Sequence, residues 1–371
     1  MKVRALLSVV ALLVAAHIAI GSARPSKPAP PPSSATLSTE ALAKMGIHRE
    51  HLSLVGVSND GATLVAWERQ TDPKHIAKGL VDRLHILREA KGQWTGQAVW
   101  LPSTSVHQLA ISEDGRWAMV VADEGMCVVA VDLTSATAHV VSRFKGGESG
   151  FRVRPYVVWP EGGKFAALGY YQDADGASHD DSIVSIDPAG TTPAAIQPLR
   201  NIVELNKATS GARATGWHSS SQAVFAGLHP DKCVHLYVWT GKELQDVDQA
   251  MDYLIMPGNG RVICLANRKG GPEALVIDLL TLHKQPIKLP EGKRLSYPLM
   301  SFDGSTILMS AIDFKAGHMS TWYGRLADGW TLHPLDKMQN VFSGALRLSP
   351  GGESLALLNN DGITVVHLPS K

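Results

Sequence analysis

A short phrase recurs along this chain, and its spacing constrains the fold more than any other feature. It reads VSNDGATLVAW at 57–67, ISEDGRWAMVV at 111–121, WPEGGKFAALG at 159–169 and MPGNGRVICLA at 256–266. It returns as MSFDGSTILMS at 300–310 and LSPGGESLALL at 348–358, with a degenerate copy, WHSSSQAVFAG, at 217–227. Each copy is an apolar run, a tight turn rich in Asp, Asn and Gly, and a second apolar run. That is the pattern of a β-hairpin, and it predicts type I′ turns, in which both central residues take positive φ.

The third turn residues are Gly61, Gly115, Gly163, Ser221, Gly260, Gly304 and Gly352, so the gaps run from 39 to 58 residues. One propeller blade of four strands needs about 40–50 residues. A hairpin fills about half of each unit, and two further apolar runs fill the rest, such as CVVAVDL (127–133) and HVVSRF (139–144). Seven units of four strands predict an all-β, seven-bladed β-propeller of antiparallel blades. Four residues before each third turn residue stand Val57, Ile111, Trp159, Trp217, Met256, Met300 and Leu348, all large and apolar. The next column holds Ser58, Ser112, Pro160, His218, Pro257, Ser301 and Ser349. Strand alternation sends successive side chains to opposite faces, and both faces of a blade are covered by neighbours.

These residues resemble the TolB-like propeller repeat, whose phrase runs P-x-W-S-P-D-G-x-x-L-A. The nearest matches are Ser349-Pro350-Gly351-Gly352 with Leu355-Ala356, and Pro298 with Ser301 and Asp303-Gly304; Trp159 and Trp217 hold the Trp column. The resemblance covers about 50–371 and implies the fold. It is almost silent on function, because such propellers serve both as binding platforms and as parts of enzymes. The Trp-Asp dipeptide of WD repeats is absent.

Residues 1–23 read as a signal peptide. Lys2 and Arg4 precede an apolar stretch from Ala5 to Ile20, and Gly21-Ser22-Ala23 supplies small residues for cleavage after Ala23. Export to the periplasm or the extracellular space follows, with no stable membrane insertion once the segment is removed. An uncleaved anchor is the alternative, although the run is shorter than the ~20 residues that span a bilayer comfortably. Residues 24–46 form a Pro/Ser-rich linker and N-terminal segment, and 47–371 the propeller. The linker through about Thr36 is expected to be disordered. The last unit ends soon after DGITVVHLP (361–369), so a strand donated from 36–50 would close the ring, although that stretch alternates poorly and carries a helix-forming run, Glu40 to Lys44.

The composition excludes several functions. Lys+Arg is 35 against 34 Asp+Glu, and no basic stripe appears, which argues against nucleic-acid binding. No G-x-S-x-G elbow, H-E-x-x-H pair or phosphate loop is present. No cofactor is implied. The 3 cysteines, Cys127, Cys233 and Cys264, lie in apolar strands and read as free thiols, with Cys233–Cys264 pairing as the alternative. His218, His235 and His367 read as satisfied structural residues. The densest oxygen-ligand cluster is Asp173, Asp175, His179 and Asp181, near a Gly; it lacks the full calcium loop, and its plain reading is a solvated loop.

Geometry points to one face. Each first strand begins where the loops between second and third strands lie, and those loops are long at 68–84, 172–182 and 312–318. Long loops on a rigid scaffold concentrate binding surfaces. His107, Arg154, Arg213, Asp252 and Tyr297 fall at the mouth of the central channel on that face, as a mildly cationic ring that either holds an anionic ligand or solvates the channel. The expectation is a monomeric, non-catalytic platform for a protein or a cell-envelope polymer. The alternative is a small lactonase- or lyase-like propeller enzyme with its site at the channel mouth.

Overall fold

In the computed structural model the repeats become seven four-stranded antiparallel sheets. The structure describes residues 33–69, 73–77, 82–102, 105–145, 150–161, 163–172, 174–176, 178–190, 193–198, 203–219, 222–258, 260–288, 294–313, 318–335 and 346–369. The signal segment and most of the linker lie outside them. Blade 1 spans Leu52–Val57, Thr63–Arg69, Asp82–Ala90 and Gln93–Leu101. Blade 2 runs from Val106 to Arg143, blade 3 from Gly150 to Pro198 and blade 4 from Ser210 to Ala250. Blade 5 runs from Asp252 to Pro286 and blade 6 from Arg294 to Pro334.

Alternation decides the packing. In the strand Trp117–Ala122, Ala118, Val120 and Ala122 pack towards blade 1 with Val65, Leu84 and Ile86. The residues between them, Met119 and Val121, pack towards blade 3 with Phe165, Val184 and Ile186. Each of the seven apolar clusters joins one pair of neighbouring blades. The core is therefore a ring of wedges, with both faces of every blade apolar.

Ring closure comes from strand donation. Blade 7 is Leu346–Leu348, Ser354–Asn359 and Gly362–His367, completed by Ser33–Ser38 from the N-terminal segment. The pairing runs from Ser33 opposite His367 to Ser38 opposite Gly362. The donor begins before the 36–50 window and takes in the end of the stretch read as linker, so the ring starts at residue 33 and not at 47. The reason is local: the strand must end at Ser38, whose hydroxyl accepts from Ala41 N at 3.2 Å and caps the helix Thr39–Lys44. The helix-forming run therefore follows the donated strand. Leu37, Leu42 and Ile47 are buried against blades 7 and 1. Burying each such side chain contributes about 1.5–3 kcal/mol.

In four blades the hairpin turns differ from type I′. In blades 1, 2, 6 and 7 the closing pairs enclose four residues: Ser58 N donates to Thr63 O, Ser112 N to Trp117 O, Ser301 N to Thr306 O and Ser349 N to Ser354 O. The glycine is left-handed in each, for example φ 68° at Gly115 and 70° at Gly352, and the residues between the serine and the glycine are not. The leading serine organises the loop. Ser112 Oγ donates to Asp114 Oδ1 at 2.5 Å and accepts from Trp117 N at 2.9 Å, while Arg116 N donates to Asp114 at 3.0 Å. Ser58–Asp60 and Ser301–Asp303 repeat the arrangement. Blades 3, 4 and 5 have Pro160, His218 and Pro257 in that column, and their ladders run on to two-residue turns, closing at Glu161–Lys164, Ser219–Gln222 and Gly258–Arg261. One sequence column thus specifies two loop types.

Candidate functional site

Strand order places the loops between second and third strands on the face where the first strands begin. That face carries the predicted channel-mouth positions. His107 is the second residue of Val106–Ile111, half-buried, with Nε2 3.4 Å from Ser105 Oγ. It is the extra residue of a ladder break, since Val106 faces Ala122 and Gln108 faces Val121. Arg154 lies in a wider break between Val153 and Val158. Arg213 follows one between Ser210 and Arg213, and Tyr297 sits in one between Ser296 and Leu299. Asp252 starts a regular ladder opposite Asn267. Blade 1 has its own break between Leu52 and Leu54. The innermost strands of blades 1, 2, 3, 4 and 6 are therefore bulged where they enter the channel. Bulges turn side chains and increase twist, and they concentrate beside binding and active sites. For Arg154, Arg213, Asp252 and Tyr297 the description stops at the backbone.

The Asp173 cluster falls largely outside what the structure describes. Asp173 lies outside the described residues, Asp175 is an exposed turn residue, and His179 and Asp181 are described only as backbone of the strand Ser178–Ile186. Cys127, Cys233 and Cys264 are free thiols. Burial pushes the Cys264 thiol up to about 12, so it is inert at neutral pH.

A different cluster stands on the same face of blade 4. The loop His229-Pro230-Asp231-Lys232 joins Gln222–Leu228 to Val234–Trp239. Pro230 presets φ at the second turn position, and Lys232 N closes the turn on His229 O at 2.9 Å. His235 faces Gly227 across the ladder, so His229, two residues after Gly227, is its diagonal neighbour. The two imidazoles stack with centroids 4.1 Å apart. On the outer strand Leu244–Ala250, Gln249 faces His235 and Asp246 faces Tyr237, because a bulge at Val247 separates Asp248 from Asp246 in the register. That bulge returns Asp246 to the His235 side of the sheet.

His235 lies between two carboxylates. Its Nδ1 is 2.6 Å from Asp246 Oδ2 and its Nε2 is 2.9 Å from Asp231 Oδ2. Gln249 Nε2 donates to the same Asp231 oxygen at 2.9 Å, and Cys233 N donates to Asp231 Oδ1 at 2.8 Å. His229 Nδ1 lies 3.2 Å from Asp231 Oδ1. The Cys233 N–H, followed by the His235 ring, pushes the Asp231 carboxyl down to about 2. Burial pulls the His235 pKa down, but its bonds to Asp231 and Asp246 outweigh burial and leave it raised above 6.5. His235 is a satisfied residue, as its strand context suggested, yet its partners were not legible. The local signal was the pair of histidines six apart around a Pro-Asp turn; Asp246 and Gln249 needed the bulge.

Two further clusters are closed. In blade 1, the buried Glu68 accepts from Arg83 Nε at 2.8 Å and contacts His85 Nε2 at 2.7 Å. Burial alone would raise the Glu68 carboxyl, but the His85 and Arg83 bonds hold it below 4.5. Between blades 4 and 5, Arg268 bridges Asp248 at 2.6 Å and Glu273 at 2.5 Å.

No family model and no curated protein matches the chain. Solved structures do. An oligogalacturonate lyase from Vibrio parahaemolyticus superposes with TM-score 0.52 at 12% identity, over 85% of this chain and 89% of that one. The acylaminoacyl peptidase of Pyrococcus horikoshii gives TM-score 0.52 at 13% identity, over 83% of this chain and 48% of the peptidase. The C-terminal WD40 domain of Sif2 gives TM-score 0.44 at 13% identity, over 86% and 96%. At these identities the likeness to the lyase and the peptidase shows the propeller fold alone. Among the described residues, no helix is long and apolar enough to cross a membrane.

Proposed function

We propose that this propeller is an exported binding platform that takes a protein or a cell-envelope polymer on its long-loop face, and that its repeats belong to the TolB-like type. The observation that supports the reading is the row of bulges in the innermost strands of blades 1, 2, 3, 4 and 6, within or beside which the polar positions 107, 154, 213 and 297 fall. On the opposite face the described turns of blades 1, 2, 6 and 7 are short and internally bonded. Arg at positions 154 and 213 suits an anionic partner, because a guanidinium binds carboxylates in a bidentate way.

The test is a pull-down from envelope extract with wild-type protein and with a double charge reversal, Arg154→Glu with Arg213→Glu. The expected result is a discrete partner or polymer retained by wild type and lost from the variant, with the melting midpoint of the two proteins alike. Equal retention by both would sink the assignment to this face. Turnover of an oligosaccharide or lactone panel that disappears in His107→Ala would replace the platform by a propeller enzyme.

A further inference from the structure

The geometry points to a cation site on blade 4: we propose that His229, Asp231 and His235 bind one zinc-class divalent ion on the long-loop face, with Asp246 as the positioning residue for His235. This goes beyond the platform reading and does not depend on it.

The donor set has the right chemistry. Zinc takes imidazole nitrogens and carboxylate oxygens, and an open site has three protein ligands plus water. Imidazole also suits the neighbouring first-row ions, whereas calcium prefers an all-oxygen shell. The donor atoms of the three residues all lie within 4.8 Å of one another. An ion with bonds of about 2.0–2.1 Å in tetrahedral geometry sets its donors about 3.4 Å apart. The carboxylate presents one oxygen to each imidazole, Oδ2 at 2.9 Å from His235 Nε2 and Oδ1 at 3.2 Å from His229 Nδ1, so both rings already converge on Asp231.

The surroundings agree. His229 Nδ1 lies 3.3 Å from Asp231 N and 3.2 Å from Asp231 Oδ1, so this nitrogen is on the side of the ring that faces the loop. Asp246 accepts from His235 Nδ1 at 2.6 Å. A ligating histidine characteristically gives its other N–H to a carboxylate, which fixes the tautomer and aims the remaining nitrogen at the metal. Here that leaves Nε2 facing Asp231. Gln249 and the Cys233 N–H steady the Asp231 carboxylate, the arrangement a ligating carboxylate needs. The site is reachable, because the His229 and Asp231 side chains are 35% and 36% exposed. Charge agrees as well: among the described residues no Lys or Arg forms an ion pair with Asp231 or Asp246. Two carboxylates then share the two imidazoles, and a divalent ion supplies the missing positive charge.

The experiment uses the full mature chain without a histidine tag, stripped with a chelator and titrated calorimetrically with Zn2+ at pH 7.5. One ion per chain at micromolar or tighter affinity is expected. His229→Ala and Asp231→Asn, both at exposed loop positions, should abolish that binding while circular dichroism stays unchanged. Asp246→Asn should weaken it about 10–100-fold, the range for a group one bond removed from the metal. Co2+ substitution should give a visible spectrum without thiolate charge transfer, and Cys233→Ser should leave the affinity unchanged. Absence of binding, or wild-type affinity in both His229→Ala and Asp231→Asn, would overturn the site. Loss of binding in Cys233→Ser would overturn the ligand set.

Discussion

Blades 1 and 4 each hold a histidine against a carboxylate at the same end of the molecule, and they resolve the same electrostatic problem in opposite ways. In blade 1, Glu68 is 3% exposed and is matched by Arg83, whose guanidinium also lies 5.3 Å from the Trp100 ring. The acid, the base and the histidine form a closed unit under aromatic cover. In blade 4, two aspartates flank His235, the loop is open, and no guanidinium among the described residues arrives. The difference teaches that an acid–histidine pair is scaffold when its charge is balanced from within, and becomes a candidate binding site when the balance is left to solvent. Burial marks the same distinction. A buried, matched set cannot exchange partners, whereas an exposed one can.

The largest expected effect lies on the closed side. Glu68→Gln leaves Arg83 and His85 without their anion in a buried place, and breaking such a set typically costs about 3–5 kcal/mol. Urea denaturation should show the loss as a lower midpoint with an unchanged slope. Asp231→Asn removes an exposed, solvent-screened carboxylate, and its midpoint should fall far less than that of Glu68→Gln in metal-free buffer. If the two variants fall equally, the contrast between closed and open clusters is wrong.

The pH dependence should separate the clusters next. The His235 pKa stands above 6.5 in the folded chain, so its contribution is complete below that pH and fades as pH rises through the folded value. His235→Gln should therefore lower the metal-free melting temperature by about 2 °C near pH 5.5, and by less near pH 8.5. The Glu68 pKa lies below 4.5, so the cost of Glu68→Gln should be the same at both pH values and shrink only as pH falls through the folded value. Asp231, held at about 2 against 3.8, gives the open cluster an acid limb between those two values. A His235→Gln effect that grows towards alkaline pH would contradict the arrangement.

The two blades also differ in how far the sequence revealed them. The fold could be read because it is local: a Gly with positive φ, four or two residues of turn, and alternating apolar strands appear within each phrase. Even the two turn types were present in one column, as Ser against Pro or His, although a type I′ reading misses that Ser112 and Asp114 cap the loop from their side chains. Ring closure at Ser33–Ser38 was half visible, because only the pairing with Gly362–His367 distinguishes that strand from linker. The clusters were hidden for a topological reason. Glu68 and Arg83 stand opposite each other across a long connection. Asp246 meets His235 only because Val247 bulges, which shifts the register by one. A one-residue shift reverses which face a side chain takes, and no composition signal records it.

The smallest expected effect is also the most direct conversion of one blade into the other. Gln249 faces His235 on the outer strand and already donates to Asp231 Oδ2 at 2.9 Å. Gln249→Arg would put a guanidinium where blade 4 lacks one and blade 1 has Arg83. Because the position is exposed, the new ion pair should add under about 1 kcal/mol, which a melting curve registers as a slight rise or none. Its main consequence is electrostatic. An arginine beside Asp231 disfavours a second cation there, so the His235 pKa should fall relative to wild type, which nitrogen chemical shifts across a pH titration would follow. The same variant should lose most of its Zn2+ affinity while keeping its fold. If Gln249→Arg leaves both the His235 titration and Zn2+ binding unchanged, the missing guanidinium is not what distinguishes the open cluster from the closed one, and the contrast must rest on burial alone.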